Sequence, residues 1–169
     1  GQAIPDYYYT TSASGANDPE IYQGCLNMGY TDAQYLLLTE LVQSGWSYTN
    51  GPQQYTDAEW NEFMMNELQN GRPIEYLAYD VSYGYSVSGH AFNVDGYDAA
   101  DGTYHINWGW NGRGNGYFAL NAFSYQDYTF GTAQQMVIGI QPPADYQAPR
   151  LQVYPNVIDM ECYINQKAT

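Results

Sequence analysis

Gly89-His90-Ala91-Phe92-Asn93-Val94-Asp95-Gly96-Tyr97, followed by Tyr104-His105-Ile106-Asn107-Trp108-Gly109-Trp110, decides how this chain is read. Both runs alternate apolar with polar residues, the period of a half-buried strand, and Asp101-Gly102 between them is a turn signal. An antiparallel pair reversing through Asp98 to Gly102 brings His90 towards Asn107 and Trp108. A histidine acting as a general base needs a fixed ring, a partner for its far nitrogen and shelter from water. The Asn107 amide oxygen can accept the imidazole N–H, the Trp108 indole can cover that contact, and Gly89 leaves room for a substrate backbone beside the ring. The competing reading makes His90 and Trp108 ordinary members of an aromatic-rich sheet. His105 shares a strand face with Asn107 and reads as structural, with a place in the same cleft as the alternative.

Working outward, Ile74–Tyr79, Gly116–Leu120 and Gln135–Ile140 add further strands with turn residues between them. Asn111-Gly112-Arg113-Gly114-Asn115-Gly116 joins two strands instead of opening a helix, so it is a turn and not a phosphate-binding loop. The stretch Ser82–Ser88 (SYGYSVS) reads as a flexible flap. Upstream, Thr56 and Glu59 form a capping box for a helix over Asp57–Asn70, with Trp60, Phe63, Met64 and Leu68 on one face and Gly71 then Pro73 as the stop. Asp18 as N-cap and Pro19 in the first turn start a shorter helix that buries Cys25. Thr31–Gly45 reads as a helix, although Gln34–Thr39 also fits a buried strand. Tyr7–Asn17 suggests a short strand running into a loop, and Trp46 and Trp60 read as core. The expected class is α+β: an antiparallel β-sheet meander with two or three helices packed on one side. Residues 1–143 form the main domain. The Pro-bearing stretch after it and the alternation around Ile158, Met160, Cys162 and Ile164 make 144–169 a linker and short β-strand tail.

Four Lys and Arg face 18 Asp and Glu, a net charge of −14, so the surface repels phosphate backbones and no nucleic-acid partner is expected. No run approaches the ~20 apolar residues of a membrane span, and Gly1-Gln2-Ala3 has none of the marks of a leader. Cys25 and Cys162 are too few and too far apart for a zinc site or a disulfide scaffold, and no metal or cofactor is expected. The abundance of Tyr and Gly with little Lys leans towards a secreted or cell-surface protein.

Three strings together resemble the C-terminal half of the streptopain family of bacterial papain-like cysteine peptidases. They are RPIEYLAY (72–79), SGHAFNVDGYDAADGTYHINWGWNGRGNGYFAL (88–120) and MVIGIQP (136–142). The resemblance is most specific from Gly89 to Tyr117 and extends weakly back through Thr56–Trp60 to Asp6–Ala16. It implies the right-hand half of a papain-like fold in a secreted bacterial endopeptidase, acting on peptide or protein substrates. His90 would be the catalytic base, Asn107 and Trp108 would orient and shield it, and Gly89 and Trp110 would border the substrate cleft. The family carries its nucleophile in a Gly-Cys-Val-Ala-Thr-Ala-like motif on a helix upstream of the part resembled here.

Three readings follow. In the first, this is the His-bearing half of a peptidase whose Cys comes from a missing or partner N-terminal segment. In the second, it is a non-catalytic relative that binds a peptide, a protein or a cell-surface polymer. In the third, Cys25 within Gln23-Gly24-Cys25-Leu26 is the nucleophile; against it, the residues after Cys25 end a helix, whereas a reactive thiolate favours a helix N-terminus.

Overall fold

The computed structural model describes residues 4, 8–9, 14–82, 86–120 and 122–146. Six strands form its central sheet: β3 (Gln34–Leu37), β6 (Ile74–Asp80), β7 (Ser88–Asp98), β8 (Thr103–Asn107), β9 (Gly116–Ala119) and β12 (Thr132–Ile138). Their order across the sheet is β3-β12-β6-β7-β8-β9, every neighbour antiparallel. From β6 to β9 the sheet is the expected meander. The last strand, β12, then returns to lie between β3 and β6. Three two-stranded ribbons accompany it: β1 (Tyr8–Tyr9) with β2 (Ser14–Gly15), β4 (Leu41–Ser44) with β5 (Ser47–Asn50), and β10 (Ser124–Tyr125) with β11 (Tyr128–Thr129).

Local signals explain both helices. Helix α2 (Asp57–Gln69) begins with the expected capping box: Glu59 N–H donates to Thr56 Oγ1 at 3.3 Å, and the Glu59 carboxylate accepts the Thr56 N–H at 2.8 Å. Helix α1 (Asp18–Asn27) is capped by Asn17 instead of Asp18, with the Glu20 carboxylate accepting the Asn17 N–H at 2.7 Å. Asp18 therefore sits inside the first turn, and its side chain turns into the protein.

The two helices cover opposite faces of the sheet, a correction to the expectation that they share one side. Trp60 and Met64 of α2 join Ile74, Tyr76, Phe92, Val94, Tyr104, Ile106, Trp108 and Met136 in the larger core. Cys25 of α1 packs instead with Ala33 and Val137 in a second, smaller one. Met136 and Val137 are neighbours on β12, and consecutive strand residues point to opposite faces, so each core takes one face.

Thr31–Gly45 contains two strands and no helix. Leu36 and Leu38 are both buried, the period of two that a strand produces, and pairing of β3 with β12 supplies the hydrogen bonds a helix would have made internally. Trp46, expected in the core, occupies the two-residue turn between β4 and β5 and is 84% exposed. Residues 147–169, including Cys162 and the expected tail strands, lie outside the described residues, as do residues 83–85 of the expected flap.

Candidate active site

His90 lies near the start of β7, on the sheet face that carries Phe92 and Val94. Its ring is enclosed by aromatic groups drawn from its own strand and two other segments. Trp110 stacks on it with centroids 4.3 Å apart and planes 22° from parallel, Phe130 lies at 5.6 Å, and Trp108 and Phe92 lie at 6.0 Å. Tyr125 packs against Trp110 with ring centroids 4.6 Å apart. A pocket of about 230 Å³ opens beside the imidazole, lined by Ser88, Gly89, His90, Trp110, Tyr128 and Phe130.

His90 Nε2 lies 2.9 Å from the backbone oxygen of Trp108. A carbonyl only accepts, so Nε2 donates, which places the neutral ring's proton on Nε2 and leaves the lone pair on Nδ1. Among the described residues Nδ1 makes no hydrogen bond. Burial, which disfavours the cation, outweighs the Trp108 hydrogen bond and holds the His90 pKa below the ordinary histidine value. The ring is thus neutral and oriented, with an unprotonated nitrogen beside an open pocket.

Trp108 is fully buried, and the glycine-rich turn that follows it locks it in place. Its indole N–H donates to the Gly114 oxygen at 3.0 Å, and its backbone N–H donates to Asn115 Oδ1 at 3.1 Å. Gly114 has φ +74°, and a Cβ there would come within 2.1 Å of the Tyr125 ring, so only glycine lets Tyr125 close over the turn and reach Trp110.

The structure gathers His90, Trp108 and Trp110 around one ring. Asn107 is not brought onto the imidazole: its Oδ1 accepts the Gly109 N–H at 3.1 Å, and the neighbouring residue's carbonyl takes the position expected for its amide. Strand alternation explains the difference, because Tyr104, Ile106 and Trp108 turn inward on His90's side, which leaves Asn107 on the other face. Gly89 borders the pocket, yet the space a Cβ would need is filled by the Tyr79 ring, at 2.7 Å across the strand pair. His105 also lies on the outer face, with Nδ1 bonded to Asp95 and its ring against Tyr117.

Tyr125, Tyr128 and Phe130 were invisible as site residues in the sequence. Their stretch carries no motif, and only the fold carries it back to His90. Cys25 is buried in the smaller core on the opposite face, where burial and then the Glu75 carboxylate push its thiol pKa up. Among the described residues no group of three or more His, Cys, Asp or Glu is placed to hold a metal ion.

This α+β arrangement, an antiparallel sheet with a helix on each face, matches that of a papain-like cysteine protease. It is similar to active wild-type interpain A cysteine protease of Prevotella intermedia, with a TM-score of 0.61 and 29% identity over 79% of this chain and 49% of that one. Residues 6–118 match the model of the Peptidase C10 family, and the chain belongs to that family. It is 40% identical over 106 residues to the thiol protease/hemagglutinin PrtT of Porphyromonas gingivalis, covering 59% of this chain and 11% of that protein. It is 32% identical over 95 residues to streptopain of Streptococcus pyogenes, covering 52% of this chain and 22% of that protein. The chain therefore spans less than half the length of each of these three relatives.

Proposed function

We propose that this chain is the His-bearing part of a streptopain-like cysteine endopeptidase, with His90 as general base and the thiol supplied by an N-terminal segment outside the sequence given. The observation that carries the reading is the His90 ring itself: Nε2 donates to the Trp108 carbonyl, Nδ1 has no hydrogen-bond partner among the described residues, and the ring lines an open, aromatic-walled pocket. A cysteine brought to Nδ1 would give up its proton there, and the thiolate would attack the carbonyl carbon of a peptide. The imidazolium would then protonate the departing amine. Water, deprotonated by His90, would cleave the thioester and return the proton to the sulfur.

The buried ring favours this cycle, since a desolvated imidazolium readily passes its proton on. Trp108 holds the ring's angle, Trp110 covers it, and Ser88, Gly89, Tyr128 and Phe130 border the position of the substrate chain. Cys25 is a poor candidate nucleophile because it lies across the sheet with a raised pKa. The location we propose is extracellular, on or outside a bacterial cell; among the described residues no helix is long and apolar enough to cross a membrane.

The test joins this chain to the Cys-bearing segment of a C10 relative, exposes the pair to an epoxide thiol-protease inhibitor, and measures intact masses with and without His90→Ala. Labelling of the supplied cysteine that depends on His90 supports the proposal. His90-dependent labelling of Cys25 would overturn it in favour of a self-contained enzyme. Absence of His90-dependent labelling would leave a binding relative that has no peptidase chemistry.

A further inference from the structure

The ribbon of β10 and β11 supplies much of the His90 surroundings: Tyr125 props Trp110, Tyr128 lines the pocket, and Phe130 follows directly after β11. The ribbon has only two rungs, Ser124 with Thr129 and Tyr125 with Tyr128. So short a pair is not stable by itself, and its place depends on anchors from outside. One is the Phe130 N–H to the Phe123 oxygen at 2.8 Å. The other comes from Asp80, the last residue of β6, 2% exposed. Its Oδ2 accepts the backbone N–H of Thr129 at 3.1 Å, and its Oδ1 accepts that of Ser82 at 2.6 Å.

Thr129 is the residue between Tyr128 and Phe130, two of the aromatic walls of the pocket. Ser82 lies two residues beyond Asp80, just past the end of β6. One buried carboxylate therefore ties the end of β6 to the ribbon that carries Tyr128 beside the pocket. Two backbone N–H groups reach its two oxygens and the Ser82 side chain adds a further hydrogen bond, a use for which a carboxylate is suited and a carboxamide, with one acceptor oxygen, is not.

We propose that Asp80 is a positioning residue for the His90 site, setting the β10–β11 ribbon beside the imidazole without touching it. The role rests on the reading of His90 as the base. Burial alone would raise the Asp80 pKa, but the hydrogen bonds from the Ser82 side chain and backbone and from the Thr129 backbone outweigh it and hold the carboxyl below its ordinary value. The form that makes these hydrogen bonds is thus the charged carboxylate.

The experiment is NMR on the chain as it is, comparing wild type, Asp80→Asn and Asp98→Asn. Asp98 caps the β7–β8 turn by accepting the Ala100 N–H and serves as a control far from the pocket. In Asp80→Asn, Thr129 amide exchange should accelerate about tenfold, the equivalent of one lost hydrogen bond. The His90 titration should move upward, towards the ordinary histidine value, because looser walls desolvate the ring less. Loss of a negative charge alone would move it downward, so the sign separates positioning from simple electrostatics. Asp98→Asn should change neither signal.

Unchanged Thr129 exchange, or a His90 titration that stays put or falls, would overturn the proposal. If Asp80→Asn does not fold, the wild type supplies the test. The Ser82 and Thr129 amide resonances must shift together in one acid titration below the ordinary carboxylate range, and independent titration would overturn the clamp. Neither readout uses peptide hydrolysis, so an inactive reconstituted enzyme would count against His90 as base and leave this result to stand by itself.

Discussion

The two faces of the central sheet treat their buried polar groups in opposite ways. On the α2 face, the Trp60 indole N–H donates to the Tyr76 hydroxyl at 2.9 Å, Tyr76 donates to Gln134 Oε1, Asp80 accepts two backbone N–H groups, and His90 donates to Trp108. On the α1 face, Asp18 and Glu75 bury all four carboxylate oxygens without a hydrogen-bond partner among the described residues. Burial pushes both carboxyls well above the usual range, and the Asp18 charge adds to the shift at Glu75. A buried polar group with fixed partners defines a geometry, whereas one without them makes stability depend on protonation. The candidate site lies on the face of the first kind, where a ring can be held at one angle.

The difference can be challenged first where it is strongest. Trp108→Ala removes a fully buried indole that touches His90, Phe92, Phe118 and Phe130. Chemical denaturation should show a loss of about 3–5 kcal/mol, the usual cost of emptying an aromatic site in a core. Tyr76→Phe leaves the packing and strands the buried Trp60 N–H; it should cost about 1–3 kcal/mol by the same measurement. A loss near zero for Tyr76→Phe would mean that hydrogen bonding is not what distinguishes the α2 face.

The α1 face should respond with the opposite sign. The unfolded carboxyls ionise near pH 4, while the folded ones hold their protons to about 7 for Asp18 and about 8 for Glu75. Folded-state pKa values raised above the unfolded ones mean that stability is full in acid and declines as pH rises through this window. Asp18→Asn cannot ionise, so it should be more stable than wild type at pH 8 by on the order of 1 kcal/mol and nearly equal to it at pH 4. Equal melting of the two proteins at both pH values would remove the contrast between the faces.

The smallest effect is the most local. Trp110→Ala uncovers one side of His90, and the imidazole pKa, read by NMR, should rise part of the way towards its ordinary value as desolvation is relieved. Because the folded pKa is lowered, His90 opposes folding only as pH falls below about 6.5. Trp110→Ala should therefore soften the acid side of the stability profile and leave the alkaline side unchanged.

Much of the site can be traced to short-range signals, and the rest cannot. The Thr56–Glu59 capping box, the alternation from His90 to Tyr97 and the glycines after Trp108 act within a few residues, and α2, β7 and the turn lie where those signals put them. Thr31–Gln34 also imitates a capping box, yet β12 pairs with the residues beyond it and draws them into a strand. The partner of His90 Nε2 is a backbone oxygen, which no side-chain motif can announce. Sequence order placed Asn107 near His90, but strand parity sent its side chain the other way.

From its residues alone, the chain declares an α+β class, a histidine at the head of one strand and a tryptophan-bearing turn after the next. These follow from local sterics, capping and periodicity, which act along the backbone. Which face each helix covers, which nitrogen of His90 keeps its proton, and how Tyr128, Phe130 and Asp80 come to surround it were settled by long-range pairing, above all the return of β12 between β3 and β6. Such contacts join residues far apart in the chain, and their free energy exists only once the sheet has closed around them.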